Sequence, residues 1–256
     1  MAADFGALST NYISRSASLI SSTDPRPISF SCRIKTDSGW SYGSNILHTL
    51  LNNNYSSSSP NLMLLIRSTD GINATMDFFN GGYAASSSTF VPNTSGYDTF
   101  TWVVWDGGST DSVEYFLNGV SIGTASRVSD GSTTDGASIG TLSGAANNFL
   151  IQGLVAEVGV WNAKLSLADA KGLSAGYAPH TVQPQKLVSY IPMINISGND
   201  TVLSPWASNG TIAVADHAPV RRRSAQILRF PSAVGAPVTN TLLQMKNYMR
   251  FNGALI

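Results

Sequence analysis

Acid–base chemistry needs carboxylates at paired positions, and this 256-residue chain offers few candidates. Of its fifteen acidic residues thirteen are Asp, and the two Glu, Glu114 and Glu157, stand alone. Glycoside cleavage requires two carboxyl groups flanking one bond. A lone Glu on a strand reads instead as a surface charge (Glu114) or a partner-satisfied one (Glu157). His48, His180 and His217 are scattered, with no Cys or second His at zinc-ligand spacing. There is no Gly-x-Ser-x-Gly elbow and no phosphate-cradling Gly-x-x-x-x-Gly-Lys-Ser/Thr. Residue order says nothing about a Ser-His-Asp triad, which assembles in space. The expectation is a protein that binds and does not catalyse, with no catalytic residue and no cofactor.

Two kinds of binding chemistry have candidate residues. Asp106-Gly-Gly-Ser-Thr-Asp111 and Asp130-Gly-Ser-Thr-Thr-Asp135 are oxygen-rich runs of the kind that ligate calcium. Asp-Gly also simply makes turns, and no full ligand spacing is visible, so the turn reading is favoured and no metal is assigned. Sugar binding calls for an aromatic platform with amide partners on a loop. Trp40, Tyr42 and Asn45 share a Gly/Ser-rich stretch and fit that need, with Tyr55 and Tyr83 as further candidates. Trp102, Trp105 and Trp161 sit in apolar runs and are expected to anchor the core.

The elements that must carry these residues read as strands. Charged residues are 12% of the chain, about half the usual 25%, while hydrophobic residues at 43% are ordinary. Asp suits turns where Glu suits helix faces, so a helical protein is disfavoured. Ile28, Phe30, Cys32 and Ile34 alternate onto one face. Residues 100–105 are apolar on nearly both faces, the pattern of a central strand between layers. Residues 62–67 and 75–79 are further strands. Leu154, Ala156, Val158 and Val160 predict one apolar face of a strand over 154–161. Asn118-Gly119 between apolar runs is a hairpin signal, because both positions tolerate positive φ. One short helix is expected from Ser166, with Asp169 completing a capping box, stopping near Gly176 before Pro179. Many strands and one helix predict an all-β, antiparallel two-sheet jelly-roll sandwich with an extended C-terminal arm. Cys32 is the only cysteine, so no intrachain disulfide forms, and it reads as a small buried hydrophobe.

A family resemblance is carried by three stretches. Tyr115-Phe-Leu-Asn118-Gly119-Val-Ser-Ile-Gly123-Thr124 resembles the hairpin of laminin-G-like, concanavalin A-like lectin domains. Residues 153–166, centred on Glu157 and Trp161 and followed by 173–179, are similar to that family's strand-to-helix signature. Residues 187–193 resemble its closing strand. Together these cover about residues 5–218. The short form ending at residues 215–219 looks most like copies in bacteriophage proteins and their bacterial relatives. The related superfamily includes glucanases with a Glu-x-Asp-x-Glu strand, which this chain lacks. The resemblance implies a recognition fold, with calcium and glycan as the ligands such domains take.

The charge distribution marks a boundary. Residues 1–216 hold nine basic and fifteen acidic residues, net −6; residues 217–256 hold six basic and no acidic, net +6. The expected organisation is a jelly roll over 1–218 and a basic arm over 219–256. In the arm, Arg221, Arg222, Arg223, Arg229 and Phe230 mix guanidinium groups with apolar anchors. Met245, Met249 and Arg250 lie in a second stretch of amphipathic helical spacing. Solvation or folding back on the acidic body and docking onto a neighbouring subunit weigh equally as readings of the arm, and nucleic acid less, because the body is acidic. The start lacks a signal-peptide pattern, and no run of about 18 apolar residues suits a membrane span. The combined expectation is a non-enzymatic structural or decorating protein of a phage particle, made in the host cytoplasm and located in the virion. Its expected partners are other virion proteins and further copies of itself. The alternative is a carbohydrate-binding module for a cell-surface glycan.

Overall fold

The computed structural model describes residues 2–4, 11–15, 27–37, 47–52, 63–70, 72–79, 86–106, 110–128, 136–140, 151–193, 206–209, 212–216 and 218–221. The chain divides into two units, Met1–Arg222 and Arg223–Ile256, and every described residue belongs to the first. In chain order the strands are β1 (Ala2–Asp4), β2 (Tyr12–Arg15), β3 (Ile28–Thr36), β4 (Leu47–Asn52), β5 (Met63–Ser68), β6 (Ala74–Phe79), β7 (Asp98–Asp106), β8 (Thr110–Leu117) and β9 (Val120–Val128). Then come β10 (Ala137–Ile139), β11 (Gly153–Trp161), helix α1 (Leu167–Ser174), β12 (Leu187–Ile191), β13 (Ala207–Asn209) and β14 (Ala213–Ala215).

These strands form two antiparallel sheets. The first runs β14-β1-β11-β3-β7-β8-β9, with β12 also on β11; the second runs β13-β2-β10-β4-β5-β6. The core lies between them, and the alternation that predicted β3 holds: Ile28, Phe30, Cys32 and Ile34 all enter it. Trp102 from β7 and Phe78 from β6 meet the same core from opposite sheets. Each such side chain contributes roughly 1.5–3 kcal/mol on burial, so apolar contact and not charge holds the sandwich closed. Cys32 is buried among them, and burial pushes its thiol well above its ordinary range.

Local chemistry sets the turns. Asn118 and Gly119 take φ of 51° and 74°, and Leu117 pairs with Val120 across them. A side chain at Gly119 would have its Cβ 2.6 Å from Ser174 Oγ and 2.9 Å from Lys171 Cα, because the hairpin tip is tucked against α1. Only glycine fits there. Ser166 caps α1 as expected, its Oγ accepting from the Asp169 amide at 3.2 Å while Asp169 Oδ2 accepts from the Ser166 amide at 2.9 Å. The helix ends at Ala175, and Gly176 follows at φ 104°.

One strand departs from the expected phase. Leu154 and Ala156 do not share a face with Val158 and Val160. Val155, Val158 and Val160 enter the main core, while Ala156 is buried on the other side of the sheet with Ala2 and Ala218, and Leu154 packs beside it. The cause is a bulge: the register of β11 against β3 shifts between Ala156 and Gly159, and Glu157 sits at φ 54°. One extra residue exchanges the faces. The bulge also divides the far edge of β11, with β1 pairing at Leu154 and Val155 and β12 pairing from Val158 to Trp161.

Candidate functional site

The first sheet is covered on both sides. Its outward face carries Val103, Phe116 and Trp161, over which Leu165, Ala170 and Leu173 of the α1 region pack. Trp161 Nε1 donates to the Val182 carbonyl at 2.8 Å, fixing the segment after the helix. Trp105 is half-buried beside this cluster, with Lys164 Nζ 3.4 Å from its ring centroid. Because this layer buries the face, outward polar residues of β3 are also enclosed. Ser29 Oγ donates to Ala163 O at 2.6 Å and accepts from the Leu165 amide at 3.1 Å.

Arg33, on the same outward face, is 5% exposed. Its Nη2 donates to Leu173 O at 2.7 Å and its Nη1 donates to Pro219 O. Tyr190 Oη of β12 donates to Glu157 Oε2 at 2.9 Å, and Glu157 is 3% exposed. Burial lowers the Arg33 guanidinium from its ordinary value, and the Glu157 charge opposes that shift. Glu157 is therefore a buried, partnered side chain. Its carboxylate is enclosed and engaged by the Tyr190 phenol. Glu114 is half-buried and accepts from Ser121 Oγ at 2.8 Å.

A second polar cluster lies in the other sheet. Asp77 of β6 is fully buried; its Oδ2 is 2.7 Å from Arg67 Nε and its Oδ1 accepts from Thr75 Oγ1 at 2.9 Å. Arg67 also donates to Ser86 Oγ at 2.5 Å. Tyr115 feels the Asp77 charge.

Burial, assisted by those nearby negative charges, pushes the phenols of Tyr115 and Tyr190 well above the ordinary range of about 10. The folded protein keeps both protons where the unfolded chain starts to lose them. Stability is therefore whole below about pH 10 and falls as pH rises beyond it. Urea midpoints measured from neutral to strongly alkaline pH should show this decline, and Tyr190→Phe should flatten it. A wild-type midpoint that stays level would refute the linkage.

One end of the sandwich is built from turns held by Asn and Asp side chains. The amide and hydroxyl of Thr36, at the end of β3, donate to Asn93 O at 3.3 and 3.1 Å. Asn93 Oδ1 accepts from the Ser95 and Gly96 amides at 2.9 and 3.0 Å. Asp98 accepts from the Asn93 amide and from Asn118 Nδ2, at 3.0 and 2.8 Å, so two turns share one carboxylate. The β5–β6 turn reaches the same end, since Ala74 and Phe90 exchange backbone bonds three residues before Asn93. There Asp70 accepts from the Ile72 and Asn73 amides, which hold its carboxyl below its ordinary range. Ile72 and Val91 are exposed beside these turns at 65% and 64%. Side-chain-capped turns of this kind line a common rim. The connection from β3 in one sheet to β4 in the other starts at this rim, and it contains Trp40, Tyr42 and Asn45.

Trp40, Tyr42 and Asn45 themselves lie outside the described residues, as do Tyr55, Tyr83, His217, Asp130 and Asp135. In the arm, Arg222, Arg223, Arg229, Phe230, Met245, Met249 and Arg250 do too. Arg221 is described, and it is held on the jelly roll: its amide donates to Gly176 O at 2.7 Å, and it bridges in parallel to Tyr177. His48 is buried on β4, whereas His180 is exposed with its ring 5.2 Å from that of Tyr190. In backbone register Asp106 of β7 stands opposite Asp111 of β8, and Asp111 opposite Arg127 of β9. Among the described residues, no group of three or more His, Cys, Asp or Glu is placed to hold a metal ion. Sequence reasoning missed Arg33 and Asp77 entirely; both stand in alternating runs where a charge reads as solvent-facing.

No protein-family model and no curated protein matches the chain. Solved structures do. A putative carbohydrate binding protein from Bacteroides ovatus superposes with a TM-score of 0.60 at 16% identity, over 86% of this chain and 61% of that one. A heptameric SAP-like pentraxin from Limulus polyphemus gives 0.50 at 13% identity, over 64% and 75%. Tailspike protein 2 of an Escherichia coli O157:H7 bacteriophage gives 0.46 at 14% identity, over 71% of this chain and 25% of the tailspike. This chain thus spans less than two thirds of the Bacteroides protein and a quarter of the tailspike. At these identities the likeness is one of architecture: the body of this chain is a lectin-like, two-sheet jelly roll.

Proposed function

We propose that the chain is a non-enzymatic recognition module whose jelly roll presents a glycan-binding rim. The observation that carries this reading is the rim itself, turns closed by hydrogen bonds of Asp70, Asn93, Asp98 and Asn118. They flank the point where the connection bearing Trp40, Tyr42 and Asn45 leaves β3. A rigid frame lowers the ordering cost of binding, and an aromatic with amide neighbours supplies the sugar-facing chemistry. The architectural match to a putative carbohydrate binding protein over most of the chain supports the same reading. The enclosed, paired state of Glu157 supports a non-catalytic role. A glycan array probed with the full chain, with and without calcium, tests it. Retention on a defined glycan, abolished by Trp40→Ala, is the expected result; retention unchanged by that substitution refutes the assignment of the rim.

The charge separation favours a second reading. A body of net −6 followed by forty residues of net +6 suits a particle component attached through its basic arm. In that reading the protein decorates a phage capsid or tail and resides in the virion. Mass spectrometry of gradient-purified particles should then find it at a fixed ratio to the major shell protein. Deleting residues 223–256 should release it, and a chain that stays in the soluble fraction rules this reading out.

A further inference from the structure

We infer that Asp216 and residues 218–221 form a strap bolted to the outer face of the first sheet by Arg33, and that this strap takes up any pull on the residues that follow it. Past β14 the chain is fastened at four separated points. Tyr97 Oη donates to Asp216 O at 2.6 Å. Ala218 is 1% exposed, packed with Ala2 and Ala156. Arg33 Nη1 donates to Pro219 O, and the Arg221 amide to Gly176 O. None of these contacts belongs to the strand ladder of the sandwich. The strap crosses the sheet, and at Pro219, which has no amide to offer, a buried guanidinium supplies the donor for the carbonyl. Arg33 spans the gap by holding that carbonyl with one nitrogen and a carbonyl of the last turn of α1 with the other.

The fastening makes mechanical sense. β14 is three residues long and, among the described residues, lies at the sheet edge and pairs with the equally short β1. A two-strand edge of that length is weak, and tension applied directly to it would peel it residue by residue. The strap bonds lie between β14 and the arm. Tension from residue 222 onward therefore meets Arg221 and Arg33 first and passes to β3 and to the end of α1. β3 lies inside the sheet, paired along its length with β7 and β11. The inference holds whatever the arm binds and is independent of the glycan reading.

Native-state amide exchange on the full chain, read at Arg221 and along β3, tests this. In Arg33→Met, exchange at Arg221 should quicken roughly tenfold more than exchange along β3, because the strap opens as a local unit while β3 reports only the general loss of stability. Gly176→Ala should do the same without touching Arg33, since the added Cβ would lie 3.0 Å from Arg221 Cγ at φ 104°. Tyr97→Phe, a milder change, should quicken exchange at Ala218. Unchanged exchange at Arg221 in both of the first two variants would overturn the inference. So would equal acceleration along β3 in Arg33→Met, which would make Arg33 a general stabiliser of the sheet.

Discussion

Glu157→Ala is expected to lower the stability of the jelly roll by about 3–5 kcal/mol, the usual cost of stripping one partner from a buried charge cluster. The carboxylate accepts from Tyr190 and its charge acts on the Arg33 guanidinium, with both residues 3–5% exposed, so no water replaces it. Against a typical stability of about 5–15 kcal/mol this is a large fraction. Two further variants separate the contributions. Glu157→Gln keeps shape and hydrogen-bonding capacity, and should cost less than the alanine. Glu157→Gly loses the same carboxylate as the alanine but relieves a side chain held at φ 54°, and should recover roughly 1 kcal/mol. Urea unfolding at neutral pH gives the order directly. If alanine leaves the midpoint within experimental error of wild type, the cluster does not hold the outer layer.

Trp102→Ala carries a comparable expectation, about 3–5 kcal/mol, through a different mechanism. The indole is fully buried, with ring centroids 5.8 Å from Phe30 and 6.1 Å from Phe100, so truncation leaves a cavity in close-packed surroundings. It also crosses the sandwich: Trp102 Nε1 on the first sheet donates to Asp77 O on the second at 3.2 Å. Trp102→Phe keeps most of the ring volume but orphans that carbonyl, and should cost about 1–3 kcal/mol. Equal losses for the two variants would show that the bond between sheets is the whole effect. A loss below about 1 kcal/mol for alanine would contradict the packing account.

The two losses have different consequences. Trp102 ties the sheets together at the centre, where every turn of the rim is ultimately supported. Glu157 and Arg33 act on the outer layer, where α1 and residues 218–221 lie. If the proposed glycan reading holds, a variant at the first site should weaken glycan retention and cohesion together, while one at the second should loosen the strap first.

Features set by neighbours in the chain were legible without coordinates. Ser166 and Asp169 cap the helix, Asn118 and Gly119 turn the hairpin, and β3 alternates into the core, because each outcome is decided within four or so residues. The apolar run at β7 correctly announced a strand covered on both sides, with Trp102 facing the core and Val103 facing α1. What the sequence could not decide by itself was which polar residues would be enclosed. Alternation assumes that one face of a strand meets water, and here α1 and residues 218–221 cover that face, turning Ser29 and Arg33 into interior groups. The phase of β11 was likewise beyond reach. Its bulge at Glu157 arises where β1 and β12 divide one edge, and a pairing between segments over twenty-five residues apart leaves no mark on local periodicity.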